Sequence, residues 1–445
     1  MFIEQLYDYG LAHGSYVIIS NGEAAVVDTA RDPQPYLDII KENGAVLKYI
    51  IETHPHADFV SSHLELSKLT GAPILVSTLL GAEYDFTPFD DGTEVKLGNV
   101  ILKSLHTPGH SPDSISILAI DENGKEHSIF TGDTLFVGDV GRPDLREEVG
   151  AIQQSREDLA RDMFHSTRNK IMTLQHNVIV YPAHGAGSLC GKNLSSDLTS
   201  TIGKELESNY ALQNHDVDSF VKILTDDQPF IPKYFGYDVN MNKKGAPNYM
   251  ESINAVKRAD TFTNNEKGLL VIDSRPQDQY KAGFFEGSIN IPNDLKFETW
   301  VGSLVAPTER FYLIATNEEE REELIRKLAK IGYELLIETA YSTLGNKNKS
   351  IELIDLDAFK SNKEAYNVVD VRNVGEYKDG AFINGAKNFP LPNLREEWQN
   401  IDISKPVIVH CKGGYRSAIA TSILYQNLKD AKIYDLSFAI EEFKS

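Results

Sequence analysis

Histidine and aspartate residues that could bind a metal ion recur at short intervals in the first half of the sequence. The segment THPHADF places His54, His56 and Asp58 at alternate positions directly after an apolar run. Further ligand types follow at the ends of other β-rich runs; they are His110 in TPGHS, Asp133 in FTGD and His184 in YPAHG. Imidazole nitrogens and carboxylate oxygens are ligands for zinc and iron. Six such residues in this arrangement predict a metal-dependent enzyme instead of unrelated surface polar groups.

A cysteine near the end of the chain has the surroundings of a nucleophile. VIVHCKGGYRSAIA reads as an apolar strand, a six-residue loop that begins at Cys411, and a helix with apolar spacing. The positive helix end and Arg416 favour the thiolate, which is the reactive form of cysteine. The loop residues between them, whose backbone N–H groups can face the sulfur, are Lys412, Gly413, Gly414 and Tyr415. We expect Cys411 to be a nucleophile assisted by Arg416, and a buried structural cysteine is the alternative.

The elements that position these residues follow from the hydrophobic periodicity. Short β-rich runs separated by Gly, Asn or Asp alternate with helical stretches, the first of which spans residues 35–43. This order predicts an α/β layered fold with its site where the strands stop. The segment KYFGYDVNMNKKGAPNY (233–249) is rich in Gly, Pro, Asn and Lys. It predicts a linker or a surface wrap, with a domain boundary near Gly245.

The second half of the sequence contains an internal repeat. VIDSRPQDQYKAGFFEGSINIP (271–292) resembles VVDVRNVGEYKDGAFINGAKNFP (368–390), with shared Asp, Arg, Tyr, Gly, Asn and Pro. Two copies of one domain are the simplest account of this similarity. We therefore predict three domains, at residues 1–245, 246–345 and 346–445.

Length and composition limit the classes of protein. A chain of 445 residues with 41% hydrophobic and 24% charged residues is too long for one core and should fold throughout. The net charge of -21, without a basic stripe, argues against binding to nucleic acid. There is neither a signal-like h-region nor an apolar run long enough to span a bilayer. With two cysteines in different predicted domains, we expect a cytoplasmic protein without disulfides or membrane contact.

The metal motifs resemble those of the metallo-β-lactamase superfamily, whose THxHxDH, GHS/T, GD and AHG elements occur here in the same order over residues 1–245. This resemblance implies an αββα sandwich, followed here by two rhodanese-like α/β domains with parallel sheets. Phe59 stands where binuclear members such as glyoxalase II have a histidine ligand for a second metal. A phenyl ring cannot be a ligand, so we expect one metal ion.

Within the superfamily the sequence resembles the persulfide dioxygenases, through its ETHxHAD, TPGHS, FTGD and YPAHGAGSxCGK elements. The resemblance implies oxidation of a low-molecular-weight thiol persulfide by O₂, to sulfite and free thiol, at one ferrous iron. The implied iron ligands are His54, His110 and Asp133. The implied neighbours, which orient ligands or handle protons, are His56, Asp58 and His184. From ligand types alone, a zinc site of His54, His56 and His110 is equally consistent.

The loop CKGGYR and the upstream element VVDVRNVGEY resemble the active site of rhodanese sulfurtransferases, in which the cysteine carries a sulfane sulfur. Related phosphatases have a loop one residue longer, so the loop length favours sulfur transfer. In the first copy, Thr316 falls at the position of Cys411 and Arg321 at that of Arg416. The first copy should therefore be a rhodanese-like domain without catalysis. The whole arrangement resembles bacterial fusions of a persulfide dioxygenase with rhodanese domains, which implies thiosulfate, persulfide and sulfite chemistry at Cys411.

Two further residues are weaker candidates for substrate contact. Arg142 in GDVGRPDL would bind a carboxylate of the thiol carrier or form a structural salt bridge. Cys190 in GAGSLCGK would relay persulfide sulfur or stay a buried, inert thiol.

Two other functions are alternatives to the dioxygenase. They are a glyoxalase II-like thioester hydrolase fused to a sulfurtransferase, and a sulfur relay with a vestigial metal domain. The carrier thiol could be glutathione, CoA or bacillithiol, and the family resemblance implies a homo-oligomer.

Overall fold

The computed structural model describes residues 1–147, 149–150 and 152–444. The chain forms two compact units. The first contains Met1–Glu251 and Ala329–Gly332, and the second contains Ser252–Leu328 and the described chain from Tyr333 onward. Both cysteines are free thiols. Among the described residues, helices with the length and apolar character needed to cross a membrane are absent.

Two six-stranded sheets form the centre of the first unit. The strands of the first sheet, in spatial order, are β1 (Phe2–Asp8), β2 (His13–Ser20), β3 (Glu23–Val27), β4 (Val46–Ile51), β5 (Ile74–Val76) and β6 (Thr87–Pro88). The strands of the second sheet, again in spatial order, are β7 (Glu94–Leu97), β8 (Val100–His106), β9 (Ile115–Ile120), β10 (Glu126–Gly132), β11 (Ile179–Pro182) and β12 (Ser200–Thr201). Strands β3 to β6 pair in parallel, as do β10 and β11, and the other neighbours are antiparallel.

Helices separate and follow these strands along the chain. They are α1 (Gln34–Glu42), α2 (His63–Thr70), α3 (Arg156–Ser166), α4 (Ile202–Ser208), α5 (Val217–Thr225) and α6 (Phe235–Lys244), followed by α7 (Tyr249–Ala255). Alternation along β2 explains the layers, because neighbouring side chains of a strand point to opposite faces. Tyr16 and Ile18 pack between the sheets with Ile117 of β9, whereas Val17 packs outward with Tyr36 of α1. The outer face of the second sheet packs against α3 and α5 in the same way.

The segment 233–249, for which we predicted a linker or a surface wrap, is instead largely helical. It contains α6, whose residues Phe235 and Val239 are buried. Gly245 ends this helix with a φ of 83°, a conformation that favours glycine, and a proline follows two residues later. The glycine and proline thus mark the end of a helix, which explains why composition alone suggested a linker.

The second unit contains two parallel sheets. The first, in the order β13-β17-β16-β14-β15, consists of β13 (Arg258–Phe262), β14 (Leu270–Asp273), β15 (Ser288–Asn290), β16 (Phe311–Ile314) and β17 (Ile337–Leu344). The second, in the order β19-β18-β20-β21, consists of β18 (Asn367–Asp370), β19 (Lys387–Asn388), β20 (Val407–His410) and β21 (Ile433–Asp435). The remaining helices are α8 (Gln277–Ala282), α9 (Phe297–Leu304), α10 (Glu318–Ala329), α11 (Leu356–Ser361), α12 (Val374–Lys378), α13 (Leu394–Glu397) and α14 (Tyr415–Asn427).

The internal repeat of the sequence is also a repeat of hydrogen bonds. In each copy, an aspartate at the end of a strand binds the arginine two residues later, and that arginine also donates to a glycine carbonyl oxygen. The bonds, with the donor first, are Arg275 to Asp273 (2.7 Å) and Gly283 (2.9 Å), and Arg372 to Asp370 (2.6 Å) and Gly380 (2.9 Å). The predicted fold class, an αββα sandwich followed by rhodanese-like α/β structure with parallel sheets, is confirmed.

Candidate metal centre and thiol loop

Three ligand-type side chains of the first unit converge at strand ends. His54 follows β4, His110 follows β8 and Asp133 follows β10. All three are buried, and their ligand atoms lie within 4.8 Å of one another. Asp133 Oδ2 is 3.4 Å from His110 Nε2 and 3.8 Å from His54 Nε2, and it accepts no hydrogen bond from the described residues. A buried carboxylate oxygen without a partner is costly, so a cation at this point would stabilise the group. The donor set fits a divalent metal ion.

Neighbouring groups determine which ring nitrogens face this point. His110 Nδ1 donates to the carbonyl oxygen of Arg142 (2.9 Å), which leaves Nε2 for a metal. His54 Nδ1 lies 2.9 Å from Thr53 Oγ1, and Thr53 in turn donates to the carboxylate of Asp28. Burial lowers the pKa of His110, and it lowers the pKa of His54 well below its ordinary value. Both imidazoles are therefore neutral, which is the form that binds a metal.

His184, which follows β11, lies between two aspartates. Its Nδ1 donates to Asp133 Oδ1 (2.7 Å), and its Nε2 lies 2.8 Å from Asp58 Oδ2. Burial opposes a charged imidazole, but the two aspartates outweigh burial and raise the pKa of His184 well above its ordinary value. Burial also opposes ionisation of Asp133, but His184 and His110 outweigh it and hold the pKa of this carboxyl well below its usual range. The raised pKa favours the imidazolium form of His184 between the two aspartates.

His56 lies in a different group of residues from the three converging ligands. Its Nε2 lies 3.1 Å from Asp28 Oδ1 and 3.6 Å from Glu52 Oε2. Its ring packs on Phe59, with 4.4 Å between the ring centroids, and Phe59 packs in turn on His13 at 3.8 Å. His56 is thus part of a buried polar cluster beside the site. The arrangement favours His54, His110 and Asp133 over the zinc set that would include His56.

Sequence analysis missed two residues, Asn242 and Asp28, that hold the loop after β4 in place. The side-chain amide of Asn242, in α6, donates to the carbonyl oxygens of His56 (2.8 Å) and Phe59 (2.7 Å), and its oxygen accepts the N–H of Ser61 (2.8 Å). The apolar spacing of α6 could have indicated a buried helix there. Asp28 was also missed, although it directly follows a strand as the predicted ligands do.

The two weaker candidates for substrate contact are both buried. The guanidinium of Arg142 donates to both carboxylate oxygens of Asp144 (2.6 and 2.8 Å) and to the carbonyl oxygens of residues 189, 229 and 230. This is the structural salt bridge that was the alternative to carboxylate binding. Cys190 lies within 4.8 Å of ligand atoms of Asp58 and His184. Burial and the charge of Asp58 raise the pKa of Cys190 well above its ordinary value, which favours the protonated thiol.

In the second unit, Cys411 follows β20 and precedes α14. The N–H of Gly414 donates to its sulfur (3.1 Å). Gly414 has a φ of 94°, and a Cβ there would lie 3.2 Å from the backbone of Ser437, so this position requires glycine. Arg416 pairs with both carboxylate oxygens of Glu376, which holds the guanidinium beside the loop. Of the remaining loop residues, Lys412 and Gly413 are exposed and Tyr415 is partly buried.

The matching loop of the first copy lacks a sulfur nucleophile. The pairing of equivalent strands places Ala315 at the position of Cys411. The prediction of Thr316 at this position is therefore wrong by one residue, because the register is visible only in the sheet. The N–H and hydroxyl of Thr316 both donate to the carboxylate of Glu320. Arg321 donates to a neighbouring glutamate and to the carbonyl oxygen of residue 259.

Comparison with protein families matches two parts of the chain. Residues 9–184 match the metallo-beta-lactamase superfamily, and residues 355–445 match the rhodanese-like domain. The first copy of the repeat lies outside both matches.

Individual relatives agree with this division. A mitochondrial persulfide dioxygenase of Bos taurus is 33% identical over 211 residues, which cover 47% of this chain and 71% of the relative. The corresponding protein of Homo sapiens is 33% identical over 165 residues, covering 36% of this chain and 59% of the relative. A cytoplasmic hydroxyacylglutathione hydrolase of Arabidopsis thaliana is 33% identical over 132 residues, covering 29% of this chain and 51% of the relative.

A solved structure resembles a larger part of the chain. The crystal structure of a metallo-beta-lactamase from Staphylococcus aureus subsp. aureus COL has a TM-score of 0.68 and 33% identity, and the match covers 77% of this chain and 98% of that chain. The chain therefore belongs to the metallo-β-lactamase superfamily and, within it, to the family of the persulfide dioxygenases, and it carries a rhodanese-like domain at residues 355–445.

Proposed function

We propose that the first unit oxidises a low-molecular-weight thiol persulfide with O₂ to sulfite and the free thiol. Cys411 then carries sulfane sulfur in a coupled rhodanese reaction among persulfide, sulfite and thiosulfate. The observation that carries the proposal is the convergence of His54, His110 and Asp133 while His184 is engaged by two carboxylates. Membership of the persulfide dioxygenase family and the rhodanese-like domain support a sulfur substrate.

The residues fit one ferrous ion per chain. His54, His110 and Asp133 would hold the ion through two imidazole nitrogens and one carboxylate oxygen, a donor set that suits ferrous iron. Iron, when bound there, supplies the redox chemistry that O₂ requires. Phe59 offers only a hydrocarbon ring where binuclear relatives have a histidine, and the neighbouring group of Asp58, His184 and Cys190 contains a histidine whose pKa is raised by its two aspartates, which favours a single ion.

The surrounding residues orient the ligands and can move protons. The hydrogen bond from His184 to Asp133 Oδ1 turns Oδ2 toward the metal position. Asp58 Oδ1 is buried and accepts no hydrogen bond from the described residues, so it can accept one from a molecule bound beside His184. Burial of His54, His110 and Asp133 keeps bulk water away from these side chains.

Covalent fusion gives the two chemistries a common pool of substrate. Sulfite formed by the first unit is an acceptor for the sulfur held on Cys411, and the product of that transfer is thiosulfate. Linking the two activities in one chain raises the local concentration of sulfite at the second site.

A thioester hydrolase of the glyoxalase II kind is the second candidate, and similarity to a hydroxyacylglutathione hydrolase favours it. Such an enzyme would attack a carbonyl with metal-activated water. The replacement of the second-metal histidine by Phe59 argues against it. A sulfur relay with a vestigial metal domain is the third candidate, and the retention of all three ligand residues argues against that one.

Anaerobic purification followed by metal analysis and O₂ uptake tests the proposal. We expect one iron per chain, and sulfite formed in proportion to the O₂ consumed with glutathione, CoA or bacillithiol persulfide. His110→Ala should contain no iron and consume no O₂. Bound zinc, hydrolysis of thioesters and no O₂ uptake would overturn the proposal.

A further inference from the structure

A cavity of about 940 Å³ lies in the second unit beside the loop of residues 411–416, here called the thiol loop. Both copies of the repeat contribute to its lining, including Gln277, Asp278, Asn293 and Asp294 from the first copy and Gly413 and Tyr415 from the loop. A Cβ added to Gly413 would meet open space, so this face of the loop is accessible. Pockets that bind small molecules have volumes of roughly 300–1,000 Å³, and this cavity falls within that range.

Hydrogen bonds between the two copies hold this lining against the loop. The hydroxyl of Tyr415, the residue next to Arg416, donates to the carbonyl oxygen of Pro292 (2.9 Å). The N–H of Asn290 donates to the buried hydroxyl of Ser422 (2.8 Å). The segment of the first copy that carries Asp294 is therefore fixed relative to the thiol loop.

The first copy gives the cavity a negative wall. Asp278 and Asp294 both line the cavity and are exposed. Lys281 also lines it, but its ammonium lies 2.5 Å from the carboxylate of Asp435, so that pair has no net charge. Such a wall attracts an ammonium group and repels a phosphate-bearing ligand.

Apolar surface covers another part of the lining. Leu353 and Phe438 line the cavity, and 76% and 67% of their respective surfaces are exposed. The methylene groups of a bound molecule would remove some of this surface from water, which favours binding. The lining therefore suits a small molecule with both an alkyl part and an ammonium group.

We propose that this cavity binds the organic part of the persulfide that exchanges sulfur with Cys411, and that Asp278 and Asp294 select carriers with a free ammonium group. The inference rests on the proposed sulfur transfer through Cys411. It gives the first copy, which lacks a nucleophile, a role in specificity for the site of the second copy.

The transfer step balances without a further reactant. The thiolate of Cys411 attacks the outer sulfur of the persulfide R–S–SH. The S–S bond of the carrier breaks as a new S–S bond to Sγ forms. The products are the Cys411 persulfide, which keeps the proton, and the thiolate R–S⁻, so no external oxidant or reductant is consumed.

Two donors that differ only at the amino group test the selection. The full-length protein is incubated without O₂, so that the first unit does not consume the donor, with cysteine persulfide or with N-acetylcysteine persulfide. Mass spectrometry of the peptide that contains Cys411 then measures the rate of sulfur addition. We expect the free amine to react about fivefold faster, the size of effect that a favourable surface charge pair provides.

The double variant Asp278→Asn/Asp294→Asn should lose this preference, and its rate with the acetylated donor should not fall, because the wall no longer repels that donor's carboxylate. The control variant Asp260→Asn/Glu266→Gln removes the same charge from exposed positions of the first copy outside the cavity lining, and it should keep the preference. Raising the salt concentration should weaken the preference of the native protein, because salt screens exposed charges.

Equal rates with the two donors in the native protein, or a preference that survives in the double variant, would overturn the selection. The absence of sulfur on Cys411 with both donors in the native protein would instead overturn the sulfur-transfer function itself. The two failures are therefore distinguishable.

Discussion

His184 Nδ1 binds only one oxygen of Asp133, at 2.7 Å, and leaves the other without a hydrogen bond from the described residues. One carboxylate thus connects an imidazolium on one side with the proposed metal position on the other. Because His184 compensates the buried negative charge, Asp133 stays ionised before a metal arrives. The ligand set is therefore preformed in the folded chain.

Replacing His184 should weaken metal binding although His184 is outside the proposed ligand set. We expect His184→Asn to lower the affinity for iron by about 10- to 100-fold, as is usual when a group that orients a metal ligand is lost. Anaerobic competition with a chelator measures this affinity. His176→Asn, at an exposed histidine of the same unit, is the control and should leave it unchanged. An unaltered affinity in His184→Asn would show that the imidazolium does not hold Asp133 in place.

Removing the amide of Asn242 should loosen the loop that carries His56 and Phe59. Three hydrogen bonds to buried backbone groups are lost, so Asn242→Ala should lower the free energy of unfolding of the first unit by about 2–3 kcal/mol. Iron content should fall with it. Calorimetry and metal analysis measure the two effects. Asn240→Ala, exposed on the same helix, should change the stability by less than about 0.5 kcal/mol. Equal effects of the two substitutions would contradict this role.

Phe59→His restores the ligand type that binuclear members of the superfamily have at this position. If the phenyl ring is what prevents a second ion, the variant should bind more than one metal per chain when zinc is in excess. It should also lose O₂ uptake. Metal analysis after removal of loosely bound zinc measures the ratio, with Phe59→Leu as the apolar control. A ratio that stays at one would mean that the pairing of His184 excludes the second ion instead.

The ion pair of Arg416 and Glu376 should make the stability of the second unit depend on pH. Burial opposes ionisation of Glu376, but Arg416 outweighs it and lowers the pKa of this carboxyl. The ion pair therefore stabilises the folded chain above the pKa that Glu376 has in the unfolded chain, about 4.3. This stabilisation is lost as the pH falls through the lower pKa of Glu376 in the folded chain.

Glu376→Gln should therefore reduce the free energy of unfolding at neutral pH by about 1 kcal/mol. The difference from the native protein should vanish in acid, which urea unfolding across a pH series would measure. Glu364→Gln, an exposed glutamate of the same domain, should show no such dependence. A difference that persists in acid would mean that the loss arises from packing.

The two cysteines should behave differently on substitution. Cys411→Ser should keep sulfite formation from persulfide but abolish thiosulfate formation, because only the first site remains active. Cys190→Ser should keep both activities, because the protonated thiol of Cys190 is a poor nucleophile. Ion chromatography of sulfite and thiosulfate measures both products. Thiosulfate formation by Cys411→Ser would place the sulfur carrier elsewhere.

The sequence was informative where a residue's role depends on its own strand. His54, His110 and Asp133 each follow an apolar run, so their convergence at strand ends could be predicted. His56 shares the same motif, but its partners Asp28 and Glu52 are determined by packing, which spacing does not reveal.

Roles that depend on distant elements could not be predicted. Asn242 reaches the loop at His56 from a helix near the end of the first unit, and no local pattern links the two segments. In the same way, Ala315 could be distinguished from Thr316 only after the strands were paired.

The Asp–Arg–Gly frame that both copies share is independent of the loop that performs chemistry. Arg275 binds Asp273 and Gly283 as Arg372 binds Asp370 and Gly380, although only one copy has a nucleophile. The frame alone therefore does not show which copy carries a cysteine at the end of its strand. For protein engineering, the first copy is a suitable host, because grafting the loop CKGGYR after β16 would place a second cysteine loop on a frame that already folds.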